Sequence, residues 1–219
     1  MVFRGIPHEA IDFYVRLEAD NSKVFWDANK ITYRDVVKPA VQALCDQFPE
    51  YGPFHLFRPY NDVRFAKGKP PYKTQQGAYA ESEGGAGYYF HISSEGMLAG
   101  AGYYGMARDQ LERFRTAIVA EHTGSELAAI VGKLEKKYRF GAIDELKTAP
   151  KGFPKDHPRI ELLRRKGLVM FADVGLPGWL HTPKVAAELR KVWKAAEPVT
   201  SWLDTHVGPS TEEPQGFFR

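Results

Sequence analysis

The sequence predicts an α+β domain in which a mainly antiparallel sheet is covered by helices. Residues 57–66 and 87–104 alternate their side chains with a period of two, which is typical of strands. Several other stretches repeat apolar residues at the spacing of an amphipathic helix. Strands and helices do not alternate along the chain, so a parallel sheet is disfavoured.

The helices are predicted from apolar spacing together with capping residues and prolines. Pro39 lies inside the second predicted helix and is expected to kink or split it, because proline donates no backbone hydrogen bond. Thr182 and Pro183 are expected to start the last helix, and Pro198 to kink it. The predicted helices cover residues 7–19, 23–48, 107–121, 125–137, 159–165 and 183 onward.

The strands are predicted near residues 57–66, 87–94, 97–104 and 168–174. The middle two form a hairpin that turns at Ser94-Glu95-Gly96. Gly100 and Gly102 leave one side of the return strand bare, so another group is expected to approach it closely. Together with Gly105 they match the dinucleotide-binding fingerprint, but a hairpin strand is the wrong context for that site.

The charge of the chain is concentrated in two basic segments. Residues 58–73 hold five Lys or Arg and one Asp, and residues 133–166 hold eleven Lys or Arg and five acids, although the net charge of the chain is only +3. Two basic segments on an otherwise acidic chain indicate a local positive field. The alternative is that the basic side chains lie on separate solvated surfaces.

In the first basic segment, a strand over 57–66 would place Arg58, Asp62 and Arg64 on one face. Asp62 would then orient two guanidinium groups toward an anion, or the three side chains would form a surface ion ladder of little energetic value. The loop that follows contains prolines that restrict it, so Lys67, Lys69 and Lys73 would be partly positioned in advance. We therefore predict one wall of an anion-binding pocket here.

Three residues outside this segment are candidates to complete the pocket. Arg115 lies beside the apolar stripe of a helix, from which it either reaches into water or points at the sheet. Lys151 belongs to the turn-rich second basic segment. His157 stands between Asp156 and Pro158 and is the best acid–base candidate among seven histidines. Its alternative is a solvated ring beside a helix that Asp156 caps.

Composition restricts the function classes further. Cys45 is the single cysteine, so neither an internal disulfide nor a cysteine-based zinc site is expected, and a buried thiol is favoured over a nucleophile. The N-terminus carries charge where a signal peptide is apolar, and no stretch has the apolar length of a membrane span. We expect a cytoplasmic protein with no cofactor, no metal and no membrane partner.

Several motifs together resemble a known family. They are Asn21 with Trp26 and Asn29, the run RPYNDVRFAKGKPPYKT, the strand GYYFHIS, the turn GAGYYG, and PKGFPKDHP. This combination is similar to the bacterial and fungal family called domain of unknown function 2461, over almost the whole chain. The resemblance implies a single full-length domain and brings no activity with it.

From the residues we predict a single domain over 1–207 and a loose tail over 208–219. We predict that it binds a small anion or a phosphate, and that it acts on a phosphate ester if it is an enzyme, with His157 as acid–base and Asp62 as orienting carboxylate. The alternative is a nucleic-acid-binding or protein-binding module, in which basic side chains neutralise phosphates and bases stack on Tyr60, Tyr72, Tyr88 and Tyr89. A third reading is structural, with the basic side chains paired to the protein's own acids.

Overall fold

The fold is described from a computed structural model that covers residues 3–62 and 68–212. The chain forms two compact units. The first unit comprises residues up to Ala80 together with Tyr89–Ala99 and Asp173–Val192. The second comprises Glu81–Tyr88, Gly100–Ala172 and the residues from Trp193 onward.

Six strands of the described residues form one antiparallel sheet, which confirms the predicted α+β class. Their order in the sheet is β1-β2-β3-β4-β6-β5, so that β2, β3 and β4 form a meander along the chain. The strands are β1 (His55–Leu56), β2 (Gln75–Glu81), β3 (Gly87–Ser93), β4 (Gly96–Tyr103), β5 (Arg139–Gly141) and β6 (Leu168–Gly175).

The predicted strand over 57–66 is wrong for residues 57–62, and residues 63–66 lie outside the described part of the chain. The regular ladder ends at Leu56, because Pro59 has no N–H with which to continue it. Beyond Leu56, the Phe57 N–H still donates to the Gly77 carbonyl at 3.0 Å, and an isolated bridge joins Tyr60 to Tyr72. The alternation that would have put Arg58 and Asp62 on one strand face is therefore absent from this stretch.

Strand β2 was not predicted, because its sequence QQGAYAE contains no β-branched residue and looks like a polar loop. Its buried side consists of Gln76 with two alanines. Gln76 accepts the Tyr33 hydroxyl at 2.6 Å and donates to the carbonyls of Phe57 and Gly77 at 2.9 Å each. A buried polar side chain with all these partners is stable in a core, which explains how a strand of this composition forms.

The helices agree with their predicted positions within a few residues. The proposed break at Pro39 takes the form of a π-helical turn over Tyr33–Val37, directly before the third helix. The last helix runs through Pro198 without interruption, and its start is capped by Thr182, whose hydroxyl accepts the Lys184 N–H. The helices are α1 (His8–Ala19), α2 (Lys23–Thr32), α3 (Lys38–Cys45), α4 (Arg108–Val119), α5 (Glu121–Leu134), α6 (Ile160–Arg164) and α7 (Lys184–His206).

Each unit has its own buried apolar core. In the first unit α1, α2, α3 and the start of α7 all supply buried side chains, and Phe13 and Leu44 are fully buried. In the second unit α4, α5 and α7 supply half of the buried core side chains of the described residues, including Phe114, Leu127 and Trp202. None of the described helices is both long enough and apolar enough to cross a membrane.

The beginning of the predicted tail is hydrogen-bonded to α4. Gly208 and Pro209 accept hydrogen bonds from Gln110 and Arg113 through their carbonyls. Asp109 accepts from the Thr211 N–H and the Ser210 hydroxyl, and these bonds hold the pKa of its carboxyl well below its usual range. Residues 213–219 lie outside the described part of the chain.

Candidate functional site

The predicted anion-binding residues belong to different units of the fold. Arg58, Lys69 and Lys73 lie in the first unit, whereas Arg115, Lys151 and His157 lie in the second. Arg64 and Lys67 lie outside the described residues.

The loop that carries the first group is held at its base by backbone pairing. The Asn61 N–H donates to the Pro71 carbonyl at 2.9 Å, and the Lys73 N–H donates to the Pro59 carbonyl at 2.7 Å. Asn21 binds the same loop through both polar atoms of its side-chain amide, since Nδ2 donates to the Tyr72 carbonyl at 3.0 Å and Oδ1 accepts the Tyr72 N–H at 3.1 Å. The Asn21 side chain thereby acts as a short strand partner for Tyr72.

Aromatic stacking holds the same base in place. The Tyr72 ring lies parallel to Trp26, with 4.3 Å between the ring centroids and 9° between the planes. Tyr60 packs against both rings but keeps 49% of its surface exposed. The two described ends of the loop thus rest on packed aromatic rings.

Lys73 is the half-buried member of the first group. Its Nζ lies 5.1 Å above the centroid of the Phe57 ring. Burial lowers the pKa of the Lys73 ammonium, and the positive charges of Arg58 and Lys69 lower it further. Among the described residues, no carboxylate pairs with Lys73, Arg58 or Lys69. We call these three residues the Lys73 cluster.

Asp62, the predicted orienting carboxylate, is half-buried and directly precedes the undescribed residues 63–67. It makes an interaction of its own. Its orienting role toward two arginines stays a prediction.

Next to the Lys73 cluster lies a chain of hydrogen bonds that joins β2 and β3. The Gln75 amide donates to the Tyr89 hydroxyl at 3.2 Å, and that hydroxyl lies 2.7 Å from Nδ1 of His91. The Tyr89 ring packs against Phe57, the ring beneath Lys73. The period-two pattern of GYYFHIS already placed Tyr89 and His91 on one face, but nothing in the sequence indicated that Gln75 would join them.

In the second unit, most arginines of the second basic segment have structural partners. Arg159 pairs with Glu121 at 3.0 Å and donates to the Ile118 carbonyl at the end of α4. Arg164 pairs with Glu161 and Glu145. These partners support the structural reading for this part of the segment.

His157 holds a turn. Its Nδ1 accepts the Arg159 N–H at 3.0 Å, directly before α6. The histidine ring therefore supplies the contact that the alternative reading assigned to the Asp156 carboxylate. Lys151 is exposed and has no ion pair among the described residues.

Arg115 is half-buried, and its Nε donates to the Leu163 carbonyl at 3.2 Å. Burial lowers the pKa of its guanidinium. The structure places it in an open groove of about 620 Å³ together with Arg108 and Lys166, which the sequence had not singled out. The sequence signal that could have identified Arg108 is its position seven residues before Arg115 in a predicted helix, which places both side chains on the same face.

The bare face of β4 is filled by a ring. A side chain at Gly100 would meet the Phe171 ring of β6 at 2.9 Å, so the glycine leaves room for that ring. In the same unit the indole N–H of Trp193 donates to the Gly100 carbonyl at 3.1 Å. The close approach predicted at this glycine is thus made by the protein's own side chains.

The chain was compared with curated proteins, solved structures and protein-family models. No curated protein and no solved structure matches the chain. A family model described as conserved hypothetical protein (DUF2461) matches residues 9–202. Because this match covers most of the sequence, the chain belongs to the DUF2461 family of conserved hypothetical proteins.

Proposed function

We propose that the protein binds a small inorganic or phosphorylated anion at the Lys73 cluster. The observation that carries the proposal is a half-buried ammonium group next to two further cations, with no carboxylate paired to any of them in the described part of the chain. Mutual repulsion and loss of hydration destabilise this arrangement, and an anion would relieve both. Arg58 would supply a planar fork for the anion, and the two lysines would supply point charges.

The backing of the cluster supports the same proposal. The Phe57 ring beneath Lys73 limits the directions from which water can reach the ammonium. The paired backbone of Pro59–Asn61 with Pro71–Lys73 reduces the entropy that ligand binding would have to remove. Arg64 and Lys67 would add to this wall if they reach the same place.

The test is a titration with inorganic phosphate at low ionic strength, followed by calorimetry and thermal unfolding. For a Kd of about 1 mM, 10 mM phosphate stabilises the folded state by about 1.4 kcal/mol, or about 3–5 °C at this chain length. Lys73→Met keeps the apolar stem over Phe57 and removes the charge, so the shift should disappear. Lys38→Met, at an exposed lysine of α3, is the matched control and should retain it.

A wild-type protein that shows no binding of phosphate, pyrophosphate or sulfate would contradict the proposal. Equal binding by the Lys73→Met variant would contradict the assigned location. A second readout is the pKa of Lys73 itself, which a bound anion should raise and which NMR of the labelled lysine measures.

Phosphate-ester chemistry with His157 as acid–base stays a further prediction. Nδ1 of His157 is engaged with the Arg159 N–H, so Nε2 is the atom left for proton transfer. Hydrolysis of p-nitrophenyl phosphate that is lost in His157→Asn and retained in His122→Asn would support this role. Activity unchanged in His157→Asn would remove it.

A second candidate function is binding of single-stranded nucleic acid. The observation that favours it is the exposed Tyr60 ring in the same loop as Arg58 and Lys69, an arrangement suited to stacking a base and neutralising its phosphate. A gel shift with a mixed oligonucleotide should then weaken with salt and with Tyr60→Ala. Absence of a shift at low salt would exclude this candidate.

A further inference from the structure

A groove on the second unit has a chemistry different from that of the Lys73 cluster. It has a volume of about 620 Å³ and runs along one face of α4. Residues 108, 111, 112 and 115 contribute to it, and their spacing of three and four residues places them on the same side of the helix. Phe153 and Lys166, which lie outside α4, also line it. We call this the Arg115 groove.

The interior of the groove is partly apolar. Met106 lines it and is almost fully buried, with 4% of its surface exposed. Leu111 and Phe153 also line it, and both are partly buried against the apolar core of the second unit. These side chains provide a surface for a hydrocarbon or aromatic group rather than for a fully hydrated ion.

The charged groups of the groove differ in how far their charge is balanced by a neighbouring charge. Lys166 forms an ion pair with Asp144, so its charge is already neutralised. Glu112 and Arg108 are exposed on α4 and are close enough in sequence to offset one another. Arg115 is half-buried and makes no ion pair with any described residue. The unbalanced charge of the groove is therefore that of Arg115.

The geometry of Arg115 leaves its fork available. Its Nε donates to the Leu163 carbonyl at 3.2 Å, which fixes the plane of the guanidinium. No described residue accepts a hydrogen bond from its two terminal nitrogens. Among the described residues, Nη1 of Arg165 is the buried side-chain atom that lacks a hydrogen-bond partner. The terminal nitrogens of Arg115 also lack a partner among these residues but are not buried in this way, so they reach solvent. They can form two parallel hydrogen bonds to a planar carboxylate.

We propose that the Arg115 groove binds a small monocarboxylate with an apolar body, of the arylacetate or short-chain fatty acid class. The carboxylate pairs with the Arg115 fork, and the apolar body lies on Met106, Leu111 and Phe153. With a single unbalanced cation and a partly apolar interior, the groove favours a monoanion over a phosphate dianion. This inference does not depend on the Lys73 cluster, because it concerns other residues and another ligand class.

The experiment compares four probes on the full chain: phenylacetate, its uncharged analogue phenylacetamide, acetate and inorganic phosphate. Binding is measured by calorimetry and located by amide chemical-shift changes in the two-dimensional ¹⁵N–¹H NMR spectrum. Phenylacetate should bind at least about tenfold more tightly than phenylacetamide or acetate, since each of these lacks one half of the interaction. The largest shift changes should fall within residues 106–116.

Variants then assign the contacts. Arg115→Gln should weaken phenylacetate binding by about tenfold or more, and Lys73→Met should leave it unchanged. Lys133→Gln, at an exposed lysine of α5 in the same unit, is the matched charge control and should bind as the wild type does. If Arg115→Gln does not fold, Phe153→Ala replaces it and should bind several-fold more weakly.

Three results would overturn the proposal. The first is that phenylacetate and phenylacetamide bind with equal affinity. The second is that the folded Arg115→Gln or Phe153→Ala variant binds phenylacetate as tightly as the wild type does. The third is that inorganic phosphate displaces phenylacetate from residues 106–116 at equal concentration. The last result would assign the groove to phosphate and remove the carboxylate class. Failure of phosphate to bind at the Lys73 cluster would leave this inference untouched.

Discussion

Protonation of His91 is predicted to destabilise the folded protein between pH 6.5 and pH 4. The Tyr89 hydroxyl accepts the Gln75 amide, so its own proton is directed to Nδ1 of His91. This arrangement requires a neutral imidazole with its proton on Nε2. Burial lowers the pKa of His91 from 6.5 to about 4, and the negative charge of Asp173 only partly opposes that fall.

The sign and size follow from proton linkage. In the unfolded chain His91 takes up a proton near pH 6.5, whereas in the folded chain it does so only near pH 4. The stability due to neutral His91 is therefore fully present above pH 6.5 and is lost as the pH falls toward 4. At about 1.4 kcal/mol per tenfold change in proton affinity, this fall of the pKa corresponds to a loss of about 3 kcal/mol. That is a large part of the stability of an ordinary domain.

The assay is urea unfolding at pH 7.5, 6, 5 and 4 for the wild type and for His91→Gln. Glutamine can still accept the Tyr89 hydroxyl but does not titrate, so the free energy of unfolding of this variant should change less over the same range. His122→Gln, at an exposed histidine of α5, is the control and should follow the wild type. If the pH dependence of His91→Gln matches that of the wild type within about 0.5 kcal/mol, the linkage argument is wrong.

Three further predictions concern the packing of the first unit. Burial raises the pKa of the Cys45 thiol to about 12, so iodoacetamide at pH 8 should label it only after unfolding; rapid labelling of the native protein would contradict this. Gly96 has a φ of +102°, and a side chain there would meet the Gly175 carbonyl oxygen at 2.0 Å. Gly96→Ala should therefore lower the free energy of unfolding in urea by more than about 2 kcal/mol, and an unchanged unfolding midpoint would refute this. Asn21→Ala removes both hydrogen bonds to Tyr72 and should lower the free energy of unfolding by about 2 kcal/mol. Asn21→Asp keeps an acceptor for the Tyr72 N–H and should lower it by less. Equal losses of stability in the two variants would argue against the paired contact.

The helices could be predicted because their information is local. Apolar side chains three or four residues apart define a buried stripe, and Ser22 and Thr182 cap helices through hydrogen bonds to residues two or three positions away. The hairpin of β3 and β4 was equally local, since its turn and its alternation lie within one short stretch. No distant contact was needed to infer these elements.

The sheet region around Lys73 could not be predicted in the same way. Strand β2 depends on Gln76, whose burial is acceptable only because Tyr33 and Phe57 supply its hydrogen-bond partners from elsewhere in the chain. The period-two pattern after Phe57 indicated a strand, but Pro59 and the Asn21 clamp on Tyr72 favour an irregular loop. The predicted strand is therefore wrong for residues 57–62, and the wall of basic residues stays a prediction.

By itself, the sequence determined the fold class, the helices, the hairpin and the positions of the basic segments, because each depends on residues close together in the chain. Only the tertiary structure decided which cations are neutralised. Arg159 and Lys166 have acidic partners, whereas Lys73 and Arg115 are half-buried and have no acidic partner among the described residues. The physical reason is that the energy of a charge depends on its distance from other charges and from water, and neither distance can be read from the order of residues.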